Sequence, residues 1–316
     1  MSVRHFLRVT DLAASELAGC LRLAGRCKRD PRFGRQALAG KVLALVFQKP
    51  SVRTRVSFEV AVRQLGGSTM YLGPDDAQLD TREPIKDVAR TLSRYVDGII
   101  ARTFTHQQLE ELAQYASVPV INGLSELHHP CQAVADLFTI QARFERLTGL
   151  VISYIGDGNN VLHSLAEGVS ILGATLRVST PPGYRPDRDI WQHSVRQAAR
   201  HGAWLEWVAK PAEAARGADV LYTDVWTSMG QEGERRARQQ AFKDFQLNGS
   251  LVKLARPRCL VMHCLPAHRG EEITDEVMEG KQSVVFEQAE NRLHAQKALL
   301  LTLYASRSML HARGRS

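Results

Sequence analysis

Short runs rich in β-branched residues alternate with helical periodicity along almost the whole chain, and this alternation limits the fold more than any other feature. Strands are predicted in the first half at residues 41–47, 68–73, 98–102 and 118–121, and helices at about 53–65, 84–95 and 106–116. The runs lack a strict apolar/polar alternation, which indicates strands covered by helices on both faces. This half therefore predicts an α/β fold with a parallel sheet.

A second series of predicted strands follows at residues 150–156, 175–180, 203–208, 219–225, 259–263 and 283–286. Since 316 residues suffice for two domains of ordinary size, we predict two doubly wound parallel-sheet domains linked by helices. A C-terminal helix should pack back on the first domain. The predicted boundaries are 1–135 plus 287–316 for the first domain, 148–286 for the second domain and 136–147 for a linking helix. Such folds bind ligands at the carboxyl ends of their strands, so we expect a cleft between the domains.

Charge and composition exclude several classes of protein. The net charge is +8, but residues 1–35 carry eight Lys/Arg against three Asp/Glu, and residues 305–316 carry three Arg. The remainder is balanced, so basic termini on a neutral body favour no nucleic-acid partner. No run approaches the roughly 18 apolar residues that span a membrane, and no signal peptide is evident. The five cysteines have no regular spacing, which is typical of reduced thiols in a cytoplasmic protein.

One candidate phosphate site follows the first strand. A helix that begins near Val52 or Arg53 presents unpaired backbone N–H groups, and Ser51 and Thr54 add hydroxyls. Arg53 and Arg55 add positive charge and forked donors. A capped helix with solvated arginines explains the same residues equally well.

A second candidate group surrounds the segment ELHHPCQ. His129 lies just before a helix and Gln132 lies in its first turn, so both can converge on a ligand as donors to a carbonyl or an amide. Arg102 ends a predicted strand, and Arg292 lies near the start of the last helix. Each of these residues alone is more often a cap or a surface cation.

The stretch IGDGNN resembles a dinucleotide fingerprint, but Val161 stands where the third glycine belongs. The next strand also ends without an acidic residue for a ribose, so we exclude a nicotinamide cofactor. Asn159 and Asn160 are either helix caps or contacts for the amino and carboxylate groups of a substrate. Asp224 at a later strand end is placed to pair with a substrate ammonium, and Ser228 and Met229 follow it in a loop.

His263, Cys264 and His268 could form a zinc site by residue type. Neighbouring residues on a strand point to opposite faces, so we expect that His263 and Cys264 do not share a metal, and we predict no metal site. A cysteine in a polar, electropositive cleft is the simpler interpretation.

Taken together, these motifs resemble those of the transcarbamylase family, and the resemblance covers nearly the whole chain. Their order is more specific than any single motif. It runs through Ser51-Val52-Arg53-Thr54-Arg55, Gln78 with REPIKDVARTLSRY, Arg102, His129-Pro130-Cys131-Gln132, Asp224 to Gly230, His263-Cys264-Leu265-Pro266-Ala267 and Glu290-Asn291-Arg292.

The resemblance implies transfer of the carbamoyl group of carbamoyl phosphate to the side-chain amine of L-ornithine, without a cofactor, in a cytoplasmic homotrimer of arginine metabolism. The implied carbamoyl-phosphate site comprises Ser51, Val52, Arg53, Thr54, Arg55, Gln78, Arg102, His129, Gln132, Cys264, Leu265 and Arg292. The implied ornithine site comprises Asn159, Asn160, Asp224, Ser228 and Met229. The residues with implied catalytic roles are Arg53, Arg102, His129, Gln132, Asp224 and Cys264.

One position departs from the family pattern, because Val52 stands where a Thr is usual and a hydroxyl is lost. The backbone N–H remains, so phosphate binding is still expected. Aspartate-using relatives lack the Ser-Met-Gly loop and the His-Cys-Leu-Pro segment, so these two segments favour ornithine. The alternatives are a transferase for acetylornithine or putrescine and a catalytically silent protein that binds carbamoyl phosphate.

Overall fold

The computed structural model describes residues 3–76, 78–228 and 230–304, and the chain divides into two compact units. The first unit is Met1–Phe138 with Asn291–Ser316, and the second is Thr139–Glu290. The predicted domain boundaries stay predictions. The same holds for the expectation, implied by the family resemblance, that the first domain binds carbamoyl phosphate and the second binds ornithine. The basic segment 305–316 lies outside the described residues.

The first unit contains a four-stranded parallel sheet with the order β2-β1-β3-β4. The strands are β1 (Val42–Phe47), β2 (Ser68–Leu72), β3 (Gly98–Arg102) and β4 (Val120–Leu124). The helices are α1 (Ala14–Arg29), α2 (Val52–Gln64), α3 (Ile85–Tyr95), α4 (His106–Tyr115) and α5 (Pro130–Phe144), of which α5 continues beyond residue 138 into the second unit. Pro130 is the first residue of α5, where its missing N–H costs no hydrogen bond.

The central strands of this sheet are buried on both faces, as the continuous apolar runs predict. The outer strand β2 is different: Met70 is 52% exposed, and every other side chain of β2 is exposed or half-buried. At the opposite edge, β4 is covered by the N-terminal segment. Phe6 N donates to Val120 O, and Asn122 N donates to Phe6 O, both at 2.8 Å.

The second unit contains a five-stranded parallel sheet with the order β7-β6-β5-β8-β9. Its strands are β5 (Val151–Ile155), β6 (Thr175–Ser179), β7 (Trp204–Trp207), β8 (Val220–Thr223) and β9 (Leu260–His263). Its helices are α6 (Asn160–Leu172), α7 (Arg188–His201), α8 (Pro211–Ala215), α9 (Arg235–Phe242), α10 (Gly249–Val252) and α11 (Asp275–Met278). The core includes Leu221, Trp226, Phe242 and Val261.

The last helix is α12 (Val285–Tyr304), so the strand predicted at 283–286 is wrong. Ser283 makes only an isolated bridge with Val261, and Gln288 N already donates to Val284 O in a helical hydrogen bond. Val285 packs into the core of the second unit from the first turn of the helix, so burial outweighs the β propensity of the run.

The later part of α12 packs on the first unit, as predicted. Lys297 Nζ donates to Pro31 O at 2.9 Å, and Tyr304 OH donates to Asp97 O at 3.0 Å. The prediction of two parallel-sheet domains with a returning C-terminal helix is therefore confirmed. Among the described residues, no helix is both long and apolar enough to cross a membrane.

Candidate active site

The candidate carbamoyl-phosphate residues lie at the carboxyl edge of the first sheet. β1 ends at Phe47, which pairs in register with Arg102 at the end of β3. Ser51 follows β1, and His129 follows β4. Since parallel strands end at one edge, the topology explains why residues so distant in sequence lie near one another.

Ser51 caps α2, so the interpretation of this residue as a helix cap is correct at the level of local structure. Its backbone is extended, with φ −160°, and its Oγ accepts a hydrogen bond from Thr54 N at 3.3 Å. The first-turn N–H groups of a helix have no intrahelical acceptor, so those of Val52 and Arg53 are suited to an anion. Val52 is 77% exposed, and its isopropyl group occupies the place of the usual hydroxyl.

Three arginines concentrate positive charge at this edge. Arg102 is only 5% exposed, and its burial, together with the charges of Arg292 and Arg53, lowers its pKa to about 10. Arg292 is buried and its Nη2 donates to Thr54 Oγ1 at 2.7 Å. Cations brought together in a low-dielectric site repel one another, so the cluster is suited to a multiply charged anion.

Two uncharged groups complete this cluster. His129 is buried, and burial with the neighbouring Arg292, Arg102 and Arg53 holds its pKa well below 6.5. The imidazole is therefore neutral at physiological pH and suited to donate a hydrogen bond to a carbonyl oxygen. Gln132 donates from Nε2 to Asp136 Oδ1 at 2.8 Å. Within the described part of the chain, Gln132 Oε1 and Arg102 Nε are buried without a hydrogen-bond partner.

Two predicted residues are engaged elsewhere. The exposed Arg55 guanidinium pairs with Glu59 at 2.9 Å and lies 3.7 Å above the Tyr71 ring. Gln78 is exposed, and its Nε2 donates to Asp75 O at 3.1 Å. Their roles in phosphate binding stay predictions, and in this conformation other partners occupy both side chains.

The described candidate ornithine residues lie at the carboxyl edge of the second sheet, after the adjacent strands β5 and β8. Asn159 caps α6: its Oδ1 accepts from Val161 N at 3.0 Å and from Leu162 N at 3.2 Å. Its Nδ2 donates to Asp224 Oδ2 at 2.7 Å. Asn159 thus combines the structural role with a contact to the candidate ammonium-binding carboxylate, and Asn160 follows it as the first residue of α6.

The Asp224 carboxylate is the centre of this second group. Cys264 Sγ donates to Asp224 Oδ1 at 2.9 Å, and both residues are buried. In this arrangement the Cys264 thiol donates to the carboxylate and orients it. Ser228 is half-buried in the loop after β8, where its N donates to Gln231 Oε1 at 3.1 Å. Met229 lies outside the described residues.

The expectation that His263 and Cys264 diverge is wrong. Ligand atoms of Asp224, His263 and Cys264 lie within 4.8 Å of one another, because β9 ends at His263 and strand alternation stops there. Both ring nitrogens of His263 are nevertheless engaged. Nε2 contacts Glu272 Oε1 at 3.0 Å, and Nδ1 accepts from Leu265 N at 2.9 Å. Metal binding would have to break one of these contacts.

The second glycine of the fingerprint-like stretch IGDGNN, Gly158, is required for close packing. A Cβ at Gly158 would lie 2.3 Å from Arg185 C and Pro186 N, so only glycine allows the segment to pass this close. This approach to protein backbone accounts for Gly158 without a dinucleotide phosphate.

Sequence reasoning missed a buried ion pair between α9 and the loop after β5. Arg238 Nη1 contacts Asp157 Oδ2 at 3.0 Å, and each side chain is 8% exposed. The same nitrogen donates to Trp226 O at 2.9 Å, which connects the loop after β8 to the loop after β5. Burial raises the pKa of Asp157 to about 6 against the opposing effect of Arg238. Arg238 stands in the polar run RRARQQ, and nothing in that run distinguishes it from a solvated residue.

Comparison with known proteins agrees with this geometry. Residues 4–142 match the family "Aspartate/ornithine carbamoyltransferase, carbamoyl-P binding domain", and residues 148–303 match "Aspartate/ornithine carbamoyltransferase, Asp/Orn binding domain". An ornithine carbamoyltransferase of Gloeobacter violaceus is 52% identical over 301 residues, which cover 95% of this chain and 96% of the relative. The anabolic ornithine carbamoyltransferase of Pyrococcus furiosus is 51% identical over 299 residues, which cover 94% of this chain and 95% of the relative.

Solved structures lead to the same group of proteins. Ornithine carbamoyltransferase from Pyrococcus furiosus superposes with a TM-score of 0.93 at 50% identity, over 96% of this chain and 98% of that chain. The enzyme from Thermus thermophilus gives a TM-score of 0.86 at 46% identity, over 96% and 100% of the two chains. The chain therefore belongs to the aspartate/ornithine carbamoyltransferase family.

Proposed function

We propose that this chain transfers the carbamoyl group of carbamoyl phosphate to the side-chain amine of L-ornithine, giving L-citrulline and phosphate, in arginine biosynthesis. Relatives about 50% identical over nearly the whole chain carry the name ornithine carbamoyltransferase, and one of them is described as anabolic. The observation that carries the proposal is the buried Asp224 carboxylate with its Cys264 partner, since a substrate with an ammonium group needs an anion.

The first unit supplies the groups for carbamoyl phosphate. In this proposal Ser51, the Val52 N–H, Arg53 and Thr54 bind the phosphate, and Arg292 supports Thr54 through their hydrogen bond. Arg102 and neutral His129 donate to the carbonyl oxygen, where negative charge develops as the amine attacks. Preorganised donors of this kind stabilise the transition state more than the ground state. In the same proposal the carbamoyl NH₂ group donates to two acceptors, Gln132 Oε1 and the Leu265 carbonyl oxygen.

The second unit supplies the groups for ornithine. The free side-chain amine has an unperturbed pKa near that of Lys, about 10.4, so the bound cation must lose a proton before it attacks. Asp224 attracts the ammonium, and Cys264 orients Asp224. The amine nitrogen then forms a bond to the carbonyl carbon, the bond between that carbon and the phosphate oxygen breaks, and the departing phosphate takes the second proton of the nitrogen. Asn159, Asn160, Ser228 and Met229 contact the α-amino and α-carboxylate groups.

A citrulline assay with ornithine, acetylornithine, putrescine and aspartate in parallel tests the proposal. We expect turnover with ornithine and carbamoyl phosphate, and little product with the other three amines. Faster turnover of acetylornithine or putrescine would assign the chain to another amine. Binding of carbamoyl phosphate without product from any amine would identify a catalytically silent protein.

We also propose that the active form is a homotrimer. The family resemblance assigns Gln78 to the active site of a neighbouring subunit, and its exposure in one chain agrees with that role. Light scattering at the assay concentration, combined with activity measurements, tests this assignment. A fully active species with the mass of a single 35.2 kDa chain would contradict it.

We propose a cytoplasmic location as well. Each of the five cysteines is a free thiol with a buried side chain, as expected of a protein in a reducing compartment. Fractionation of the source cells with an antibody against the chain would locate it.

A further inference from the structure

A buried histidine–glutamate pair contacts the turn that follows β9 in the second unit, which contains Cys264 and Leu265. His263 and Glu272 have side chains that are 0% exposed, and Nε2 lies 3.0 Å from Oε1. Glu272 Oε1 also accepts from His268 N at 2.6 Å. Burial of a carboxylate and an imidazole is costly unless both are hydrogen-bonded, so the location of this pair calls for an explanation.

The hydrogen bonds determine which nitrogen of His263 carries the proton. Leu265 N is a backbone donor, so Nδ1, at 2.9 Å, must be the acceptor. The proton therefore lies on Nε2 and points to Glu272. The backbone of β9 adds a further constraint, because His263 N donates to Gln288 Oε1 at 2.9 Å. The imidazole is fixed in one tautomer and in one orientation.

This imidazole contacts the one residue of the turn whose backbone is unfavourable. Leu265 has φ +59°, a left-handed conformation that is rare for a branched side chain. Such a residue persists only where the surroundings over-determine it, and these residues cluster at functional sites. The bond from Leu265 N to Nδ1 fixes the turn immediately after Cys264, whose thiol contacts Asp224.

We propose that His263 and Glu272 are a positioning pair for the reaction: Glu272 fixes the tautomer of His263, and His263 fixes the Leu265 backbone and with it the Cys264 thiol. Neither residue touches substrate in this proposal. The inference rests on the proposed function, because the group being positioned is the one that contacts the reacting amine and the carbamoyl group. A small misplacement at such a site can lower turnover by about 100-fold.

Two substitutions of His263 separate its two hydrogen bonds. His263→Asn places an amide oxygen near the position of Nδ1, so it keeps an acceptor for Leu265 N and loses the bridge to Glu272. His263→Gln places an amide nitrogen near the position of Nε2, so it keeps the donor to Glu272 and loses the acceptor. His268→Gln is the matched control, because its side chain is partly exposed and its backbone contact to Glu272 remains.

We expect the parent and His268→Gln to form citrulline at the same rate. His263→Gln should lose at least about tenfold in kcat, and His263→Asn should retain clearly more activity. Melting temperature and circular dichroism are measured on the same preparations, because a purely structural role would lower stability and leave kcat of the folded enzyme unchanged. Equal kcat for the two variants, or a faster His263→Gln, would overturn the positioning role.

If either His263 variant fails to fold, Glu272→Gln decides the question. We expect this variant to be folded with kcat reduced at least about tenfold, because a neutral amide accepts the Nε2 proton more weakly than a carboxylate and holds the imidazole less firmly. A folded Glu272→Gln enzyme within twofold of the parent would refute the proposal. A parent protein without citrulline formation would instead refute the proposed function, so the two failures are distinguishable.

Discussion

Arg102→Met should stabilise the ligand-free protein while it weakens the binding of carbamoyl phosphate. The folded environment lowers the pKa of Arg102 to about 10 through burial and the charges of Arg292 and Arg53. A base with a lowered pKa binds its proton less tightly when folded than when unfolded, so the charged form costs stability at every pH below about 10. At neutral pH this cost is about 3 kcal/mol for a depression of this size.

Methionine keeps most of the buried methylene groups and removes the charge, so part of that cost should be recovered. We expect the free energy of unfolding of the ligand-free protein to rise by about 1 to 3 kcal/mol. A gain of 1 kcal/mol corresponds to about 2 to 4 °C in Tm for a unit of this size. Arg102 Nε, buried without a hydrogen-bond partner in the described chain, adds to the expected gain.

Scanning calorimetry with and without carbamoyl phosphate measures both effects on one sample. A ligand that binds only the folded state stabilises it by about 2.7 kcal/mol at a concentration of 100 Kd. The parent should show such a shift, and Arg102→Met should show a smaller one at the same ligand concentration, because it has lost one charged contact. Arg63→Met, an exposed site in the last turn of α2, is the control and should remain within about 0.5 kcal/mol of the parent. A less stable Arg102→Met variant, or one that carbamoyl phosphate stabilises as much as the parent, would refute this account of the cluster.

Three further perturbations test the site. Asp224→Asn should raise KM for ornithine by about tenfold or more, the equivalent of about 1.5–3 kcal/mol for a charged hydrogen bond, with little change in carbamoyl-phosphate affinity. Asp219→Asn, at the opposite end of β8, is the control, and an Asp224→Asn enzyme with the same KM for ornithine as the parent would remove Asp224 from the site. Arg238→Met should destabilise the protein by about 3–5 kcal/mol at about pH 8, because buried Asp157 loses the partner that lowers its pKa and must either stay charged alone or take up a proton. Urea unfolding should show partial recovery when Asp157→Asn is added, and no recovery would contradict the ion-pair explanation. His129→Asn should lower kcat and leave the shape of the pH–rate profile between pH 6 and 8 unchanged, since His129 is already neutral there; loss of an acid limb in the variant would show that His129 titrates in this range.

The positions of most strands were predictable because both sheets consist largely of short runs rich in apolar and β-branched residues. The exception at 283–286 shows the limit of that signal: SVVF has the composition of a strand, but the run is too short to decide between a strand and the start of a helix. Whether Val285 belongs to a strand or to a helix depends on its packing in the core of the second unit, and a local sequence pattern does not contain that packing.

The candidate site was partly predictable for a similar reason. Ser51, Asn159 and Asp224 follow strands, and parallel topology brings such residues to the carboxyl edge of the sheet to which each belongs. The partners that fix them were not predictable, since Cys264 lies 40 residues from Asp224 and Arg238 lies 81 residues from Asp157. No local spacing connects residues so far apart. Arg55 is the opposite case: it belongs to the predicted phosphate motif, but Glu59 and Tyr71 engage its side chain.

The division of the first unit into 1–138 and 291–316 has a consequence for synthesis of the protein on the ribosome. The second unit is contiguous and can fold as soon as residue 290 has emerged. The arginine cluster requires Arg292, which is translated 160 residues after Gln132, or roughly 8 to 32 s later at about 5–20 residues per second. During that interval Thr54 Oγ1 lacks its donor from Arg292, and α12 is missing from the layer that covers Pro31 and Asp97. The nascent chain therefore carries an incomplete arginine cluster throughout the translation of the second unit.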